Sequence, residues 1–144
     1  MLKAMFLVLL LEGSAMDQAK ETTAAEVKFS RIAENRAHRD RVRDFAKMLA
    51  RDHGQIPETN PSGIISLNSD HQKKVDQLSR LSGKKFDQVF IDAIVKEHRQ
   101  AIQLFEQLAR QHGIKTAHDT LPALKQHLQE AEAIQQFLRS RARR

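Results

Sequence analysis

At 144 residues the chain is long enough to bury one core without staples, and its size points to one domain. It contains no cysteine, which excludes disulfides, thiolate metal sites and cysteine nucleophiles. Of the net charge of +6, four units come from Arg139, Arg141, Arg143 and Arg144, so the body has a nearly balanced surface and not a basic nucleic-acid footprint. Strong helix formers (Ala, Leu, Gln, Lys, Arg, Glu) dominate, and only three prolines and five glycines interrupt them, which implies an all-α class.

Lys3 precedes an apolar run, Ala4 to Leu11, followed by Glu12-Gly13-Ser14-Ala15. The run falls far short of the ~20 residues of a membrane-spanning helix. It suits a secretory leader cut after Ala15, with Gly13 and Ala15 as the small residues before the cut. The expected layout is a leader over 1–15, a helical bundle over 16–140 and a basic tail over 141–144, in a periplasmic or otherwise exported protein. If the run is instead an apolar turn packing on the bundle, the protein is cytoplasmic.

The first bundle helix is expected from about Asp17 to Ala37, with Ala19, Ala25, Phe29, Ile32, Ala33 and Ala37 on one face and Glu26 at its edge. No Gly or Pro marks a break after Ala37, but Asp40 is an acceptable N-cap for a second helix ending at His53. That helix has the stripe Val42, Phe45, Ala46, Leu49, and His53 continues it. Gly54 is expected to stop it, in the position just past the helix end. Residues 55–68 carry Pro57, Pro61 and Gly63 and read as a loop, with Ile64-Ile65 lying across one end of the bundle.

A short helix is expected from Ser69 to Leu81 and a long one from Lys84 to Gln111, ended by Gly113. Glu97 and His98 lie within the long helix's apolar arc of Phe86, Phe90, Ile94, Leu104 and Leu108. The last helix is expected to open at Thr120-Leu121-Pro122, with Thr120 as N-cap and proline in the first turn. His127 is central to its inner face.

Glu26, His53, Glu97, His98 and His127 are therefore polar residues at inward positions, where burial is costly unless the group is paired, hydrogen-bonded or ligated. Imidazole with carboxylate suits a divalent transition metal ion, and helix bundles build such sites from facing helices. The Glu-x-x-His pairs of di-iron bundles are absent, which argues against a di-metal oxidase centre. If the first two helices form a hairpin, Glu26 and His53 return to nearly the same height. A metal-free Glu–His network would satisfy the same groups. The remaining histidines, His38, His71, His112 and His118, fall at turns or helix ends and are expected in solvent. No Gly-x-Ser-x-Gly and no glycine-rich phosphate loop occurs, so nothing marks an enzyme.

Several stretches together resemble a bacterial family called domain of unknown function 4142: Ala25-Glu26-Val27, Val42 to Met48, Asp52-His53, Leu78 to Asp87, Glu97-His98 and Leu121-Pro122-Ala123-Leu124-Lys125-Gln126-His127-Leu128. The resemblance covers residues 20 to 132. It implies a ferritin-like four-helix bundle, here with one extra short helix. Such proteins are usually exported, are often labelled membrane or outer-membrane proteins, and have no established activity. Its motif positions fall on Glu26, Asp52, His53, Glu97, His98 and His127. Where the family's second helix continues, this chain has Gly54, so one groove of the bundle is expected to be partly open, and the loop before Leu121 is shorter. The expected function is an exported bundle that holds a metal ion in stress protection. The alternative is a non-catalytic bundle working through an envelope or protein partner; nucleic acid is not an expected partner.

Overall fold

The computed structural model describes residues 2–54, 59–60 and 63–143, and side chains within 13–54 and 65–143. Five helices make up the fold: α1 Leu2–Arg36, α2 Asp40–His53, α3 Ser69–Arg80, α4 Gly83–His112 and α5 Lys115–Ala142. The chain is all-α, as its composition dictates. Thr59–Asn60 and Gly63–Ile64, β1 and β2, form only a two-residue antiparallel ladder within the loop. No helix among the described residues is long and apolar enough to cross a membrane. The side chains of residues 2–12, over which a leader was expected, and that of Ile64 lie outside the described residues.

Two antiparallel hairpins, α1–α2 and α4–α5, pack face to face to make a four-helix bundle, with α3 as the extra short helix against α1 and α4. The apolar stripes meet as expected. Phe29 and Ala33 of α1, Phe45 and Leu49 of α2, Phe86, Phe90 and Ile94 of α4, and Ala131 and Ile134 of α5 form one buried core with Leu78 of α3. Burial of each of the Phe, Leu and Ile side chains among them stabilises the fold by about 1.5–3 kcal/mol.

The break between α1 and α2 has a cause outside the local sequence. Asp87, fully buried on α4, accepts from the backbone N–H groups of His38 at 2.8 Å and Arg39 at 3.1 Å. Its carboxylate thus acts as an N-cap supplied by another helix, where the residue in the N-cap position, Arg39, makes no side-chain cap bond. Asp40, the expected cap, is the first residue of the helix.

Two expected boundaries, the starts of α1 and α5, are corrected, while α2 ends at His53 as expected. α1 runs without interruption from Leu2, through the segment read as a leader. α5 starts at Lys115, more than a turn before Thr120, because the left-handed Gly113 (φ 62°) reverses the chain in two residues and Ile114 N–H closes back on Leu108 O. Thr120 therefore bonds Thr116 O, and Pro122 sits inside the helix. Gly54 ends α2 in a right-handed conformation (φ −68°), and glycine is needed there because a Cβ would lie 2.5 Å from Ala50 O.

Candidate metal centre

The apolar core ends at a layer of polar side chains, each one helical turn beyond a core residue. His53 follows Leu49, His98 follows Ile94, His127 precedes Ala131, and Glu26 lies one turn before Phe29 and Ser30. Hydrophobic periodicity thus carries all four groups inward, from four different helices. Glu26, His53 and His127 are 3–7% exposed and His98 is 0% exposed.

Glu26 stands between two of the rings: His53 Nδ1 is 2.9 Å from its Oε2, and His98 Nδ1 is 3.0 Å from its Oε1. Neither pair is aligned as an N–H···O bond, so Glu26 Oε1 and His53 Nδ1 are close charge contacts with no hydrogen-bond partner. His53 Nε2 lies 3.3 Å from His127 Nδ1, and His127 Nε2 lies 3.2 Å from Asp52 Oδ2.

What each nitrogen faces fixes its proton. A carbonyl or carboxylate oxygen only accepts, so His98 Nδ1–H donates to Ile94 O at 3.1 Å and His127 Nε2–H donates to Asp52. In neutral rings, His98 Nε2 and His127 Nδ1 are then bare lone pairs, and His98 Nε2 is buried with no hydrogen-bond partner. His53 faces an acceptor on both sides. One proton serves either Glu26 or His127, and the other contact sets lone pair against lone pair. The cluster is one positive charge short, which a second proton or a metal cation supplies.

The electrostatics carry the same signature. Burial raises the Glu26 carboxyl, but His98 and His53 outweigh it and lower Glu26 to about 2. Burial lowers His98, but Glu26 outweighs it and holds the imidazole above its ordinary value. His127 moves down, from burial and from the neighbouring His53 and His98, against the pull of Asp52. Glu26 is thus an anion beside a proton-accepting His98, while His127 favours a neutral ring.

One nitrogen from each of His53, His98 and His127 lies within 4.8 Å of the other two, and these three residues are the one such metal-capable group among the described residues. The five residues chosen from helical phase therefore do not form one set. Four share the layer, but Glu97 faces elsewhere: its Oε2 lies 3.2 Å from His71 Nε2. His71 Nδ1 in turn meets both oxygens of Glu21, at 2.8 and 2.9 Å. The bond to Glu97, and then Glu21, push His71 up to about 9 against its burial. A ring protonated on both nitrogens has no lone pair for a metal.

His71 is buried, which corrects its placing in solvent. The signal was present, since His71, Val75 and Leu78 follow the i, i+4, i+7 spacing of an inner face. His118 is exposed beside Asp119.

The fold and site define a four-helix bundle with a buried histidine layer. The family model described as domain of unknown function (DUF4142) matches residues 12–134, and the chain belongs to that family. No curated protein and no solved structure matches the chain.

Proposed function

We propose that the bundle binds one divalent transition metal ion through His53 Nε2, His98 Nε2 and His127 Nδ1. Glu26 and Asp52 act as outer carboxylates that orient the rings. The orphaned, buried His98 Nε2, on a ring that has one nitrogen within 4.8 Å of a nitrogen of each of the other two, carries this reading. Metal-ligating histidines characteristically give their other nitrogen to a carboxylate or backbone carbonyl, and here Glu26, Ile94 O and Asp52 stand opposite the three ligand atoms. Ligands about 2.0–2.1 Å from a tetrahedral ion lie about 3.3 Å from each other, the His53–His127 separation. Three neutral imidazoles select a borderline ion such as Zn²⁺ or Co²⁺ over Mg²⁺ or Ca²⁺. An exported protein holding such an ion suits metal sequestration in stress protection, and Lys3 with the apolar run to Leu11 supports export.

The test is metal content and calorimetric titration of dialysed protein with Zn²⁺ and Co²⁺, beside His98→Ala. The expected result is one ion per chain, raised thermal stability on loading, and loss of both in the variant. A wild type that carries no stoichiometric metal and gains no stability from Zn, Mn, Fe or Cu ions would leave the metal-free network, with Glu26 and His98 as its ion pair, as the function of the layer.

A further inference from the structure

Beyond His53 the described bundle has only three long helices, because α2 ends there while α1, α4 and α5 continue. A cavity of about 310 Å³ is lined by residues of α1, α4 and α5 and by the last two residues of α2, with Glu26, Asp52, His53 and His127 among them. Its volume falls within the ~300–1,000 Å³ of small-molecule sites, which are mostly apolar with a few convergent polar groups. Ala101, Leu104 and Phe105 of α4 and Leu124 of α5 line its apolar part. These α4 residues continue the core line past His98 but are only half-buried, so apolar surface is left uncovered next to the histidine layer.

We infer that this cavity is a binding site for a small, mostly apolar molecule with one uncharged oxygen or nitrogen donor, which takes the fourth position on the metal. The inference rests on the three-histidine metal reading. Three protein ligands leave a tetrahedral ion one position for water or another donor, and two of the three rings line the cavity. Charge selects the head group. Among the described residues no lysine or arginine lines the cavity, while Glu26 and Asp52 do, so an anionic head meets two carboxylates and no described cationic side chain. Gln18 and Gln100, with Thr22 and Thr120, supply hydrogen-bonding groups for further polar atoms of the guest. The apolar wall takes the tail, whose burial strengthens binding with each methylene.

Co²⁺-loaded protein gives a visible absorption spectrum that reports its fourth ligand, and 1-methylimidazole, 1-butylimidazole and butyrate are the probes. The expected result is that 1-butylimidazole shifts the spectrum at a concentration lower by roughly tenfold or more than 1-methylimidazole, and that butyrate binds more weakly than either. Ala101→Phe, which fills the cavity, abolishes the advantage of the butyl chain without changing Co²⁺ stoichiometry. Ala123→Phe, on the facing α5 wall, repeats the test if Ala101→Phe does not fold. Stoichiometric Co²⁺ with no butyl preference, a preference that survives the cavity-filling change, or tighter binding of butyrate each overturns the ligand site and leaves the metal reading standing. Failure to bind Co²⁺ at all removes both.

Discussion

His53 Nε2 and His127 Nδ1 lie 3.3 Å apart although 74 positions separate them in the chain, and each ring's other nitrogen faces a carboxylate oxygen. That arrangement gives the two rings unequal neighbours. Glu26, on the His53 side, is buried, whereas Asp52, on the His127 side, is 38% exposed as a side chain and is screened by solvent. His127→Ala is therefore expected to abolish stoichiometric metal, because it removes a ligand. Asp52→Asn keeps the ligand but weakens its orientation, with an expected loss of about 10-fold in affinity, the lower end for an outer-shell partner. Competition titration against a chelating dye ranks the two variants, and equal losses would contradict the assignment of Asp52 to the outer shell.

Asp87 gives a prediction about folding. Burial raises its carboxyl above the usual range, outweighing the two backbone bonds that favour the anion. What the corner needs is two acceptor atoms. Asp87→Ala leaves the His38 and Arg39 N–H groups without their acceptors and is expected to cost about 2–3 kcal/mol, while Asp87→Asn, which keeps one acceptor, costs about half of that. Urea denaturation gives both values. The metal site should load normally in the folded fraction of each, since Asp87 lies at the opposite end of the core from the histidines.

The contrast between Asp87 and His98 shows what the sequence made legible. His98 lies in phase with Phe90 and Ile94, so periodicity places it inward, and the same reasoning places Glu26, His53 and His127. Height along a predicted hairpin then brings Glu26 and His53 to one level, and the structure confirms it. Periodicity gives a direction but no partner. Glu97 and His98 are adjacent and both buried, yet they differ by about 100° around the helix, enough to send Glu97 to α3. The sequence places the α1–α2 break, with α2 opening at Asp40, but its cause is not legible locally because the cap comes from 47 residues beyond Asp40. The early start of α5 was hidden because Thr120-Leu121-Pro122 imitates a helix start and the left-handed Gly113 removes the need for a loop.

The His71 bridge makes stability depend on pH at the alkaline side. Its folded value is raised from 6.5 to about 9 by Glu97 and Glu21. The unfolded ring loses its proton near 6.5, so the stabilisation is fully present below that pH. It declines as pH rises through 6.5 to 9 and is gone above the folded value. The amount is roughly 1–3 kcal/mol, allowing for screening through the partly exposed Glu21. His71→Gln should flatten the stability profile between pH 6.5 and 9 in urea titrations at fixed temperature. A wild-type profile already flat over that window would remove the bridge as a source of stability.

Glu26 and Glu97 both interrupt an apolar helical arc, and the structure assigns them to different tasks, so their amide variants separate those tasks. Glu26→Gln keeps the volume but removes the anion facing the Nδ1 atoms of His53 and His98. His98 then loses its main source of proton affinity, and metal affinity is expected to fall about 10–100-fold. Part of that loss is offset because binding no longer displaces a proton held on His98 by Glu26. Glu97→Gln leaves metal affinity unchanged, since its carboxylate faces His71. It should instead lower the His71 value and shrink the loss of stability between pH 6.5 and 9. Calorimetric metal titration and pH-dependent denaturation of both variants form a two-by-two comparison. If Glu97→Gln weakened metal binding as much as Glu26→Gln does, the two clusters would be one coupled network, and the three-histidine assignment would have to give way to a site that includes Glu97.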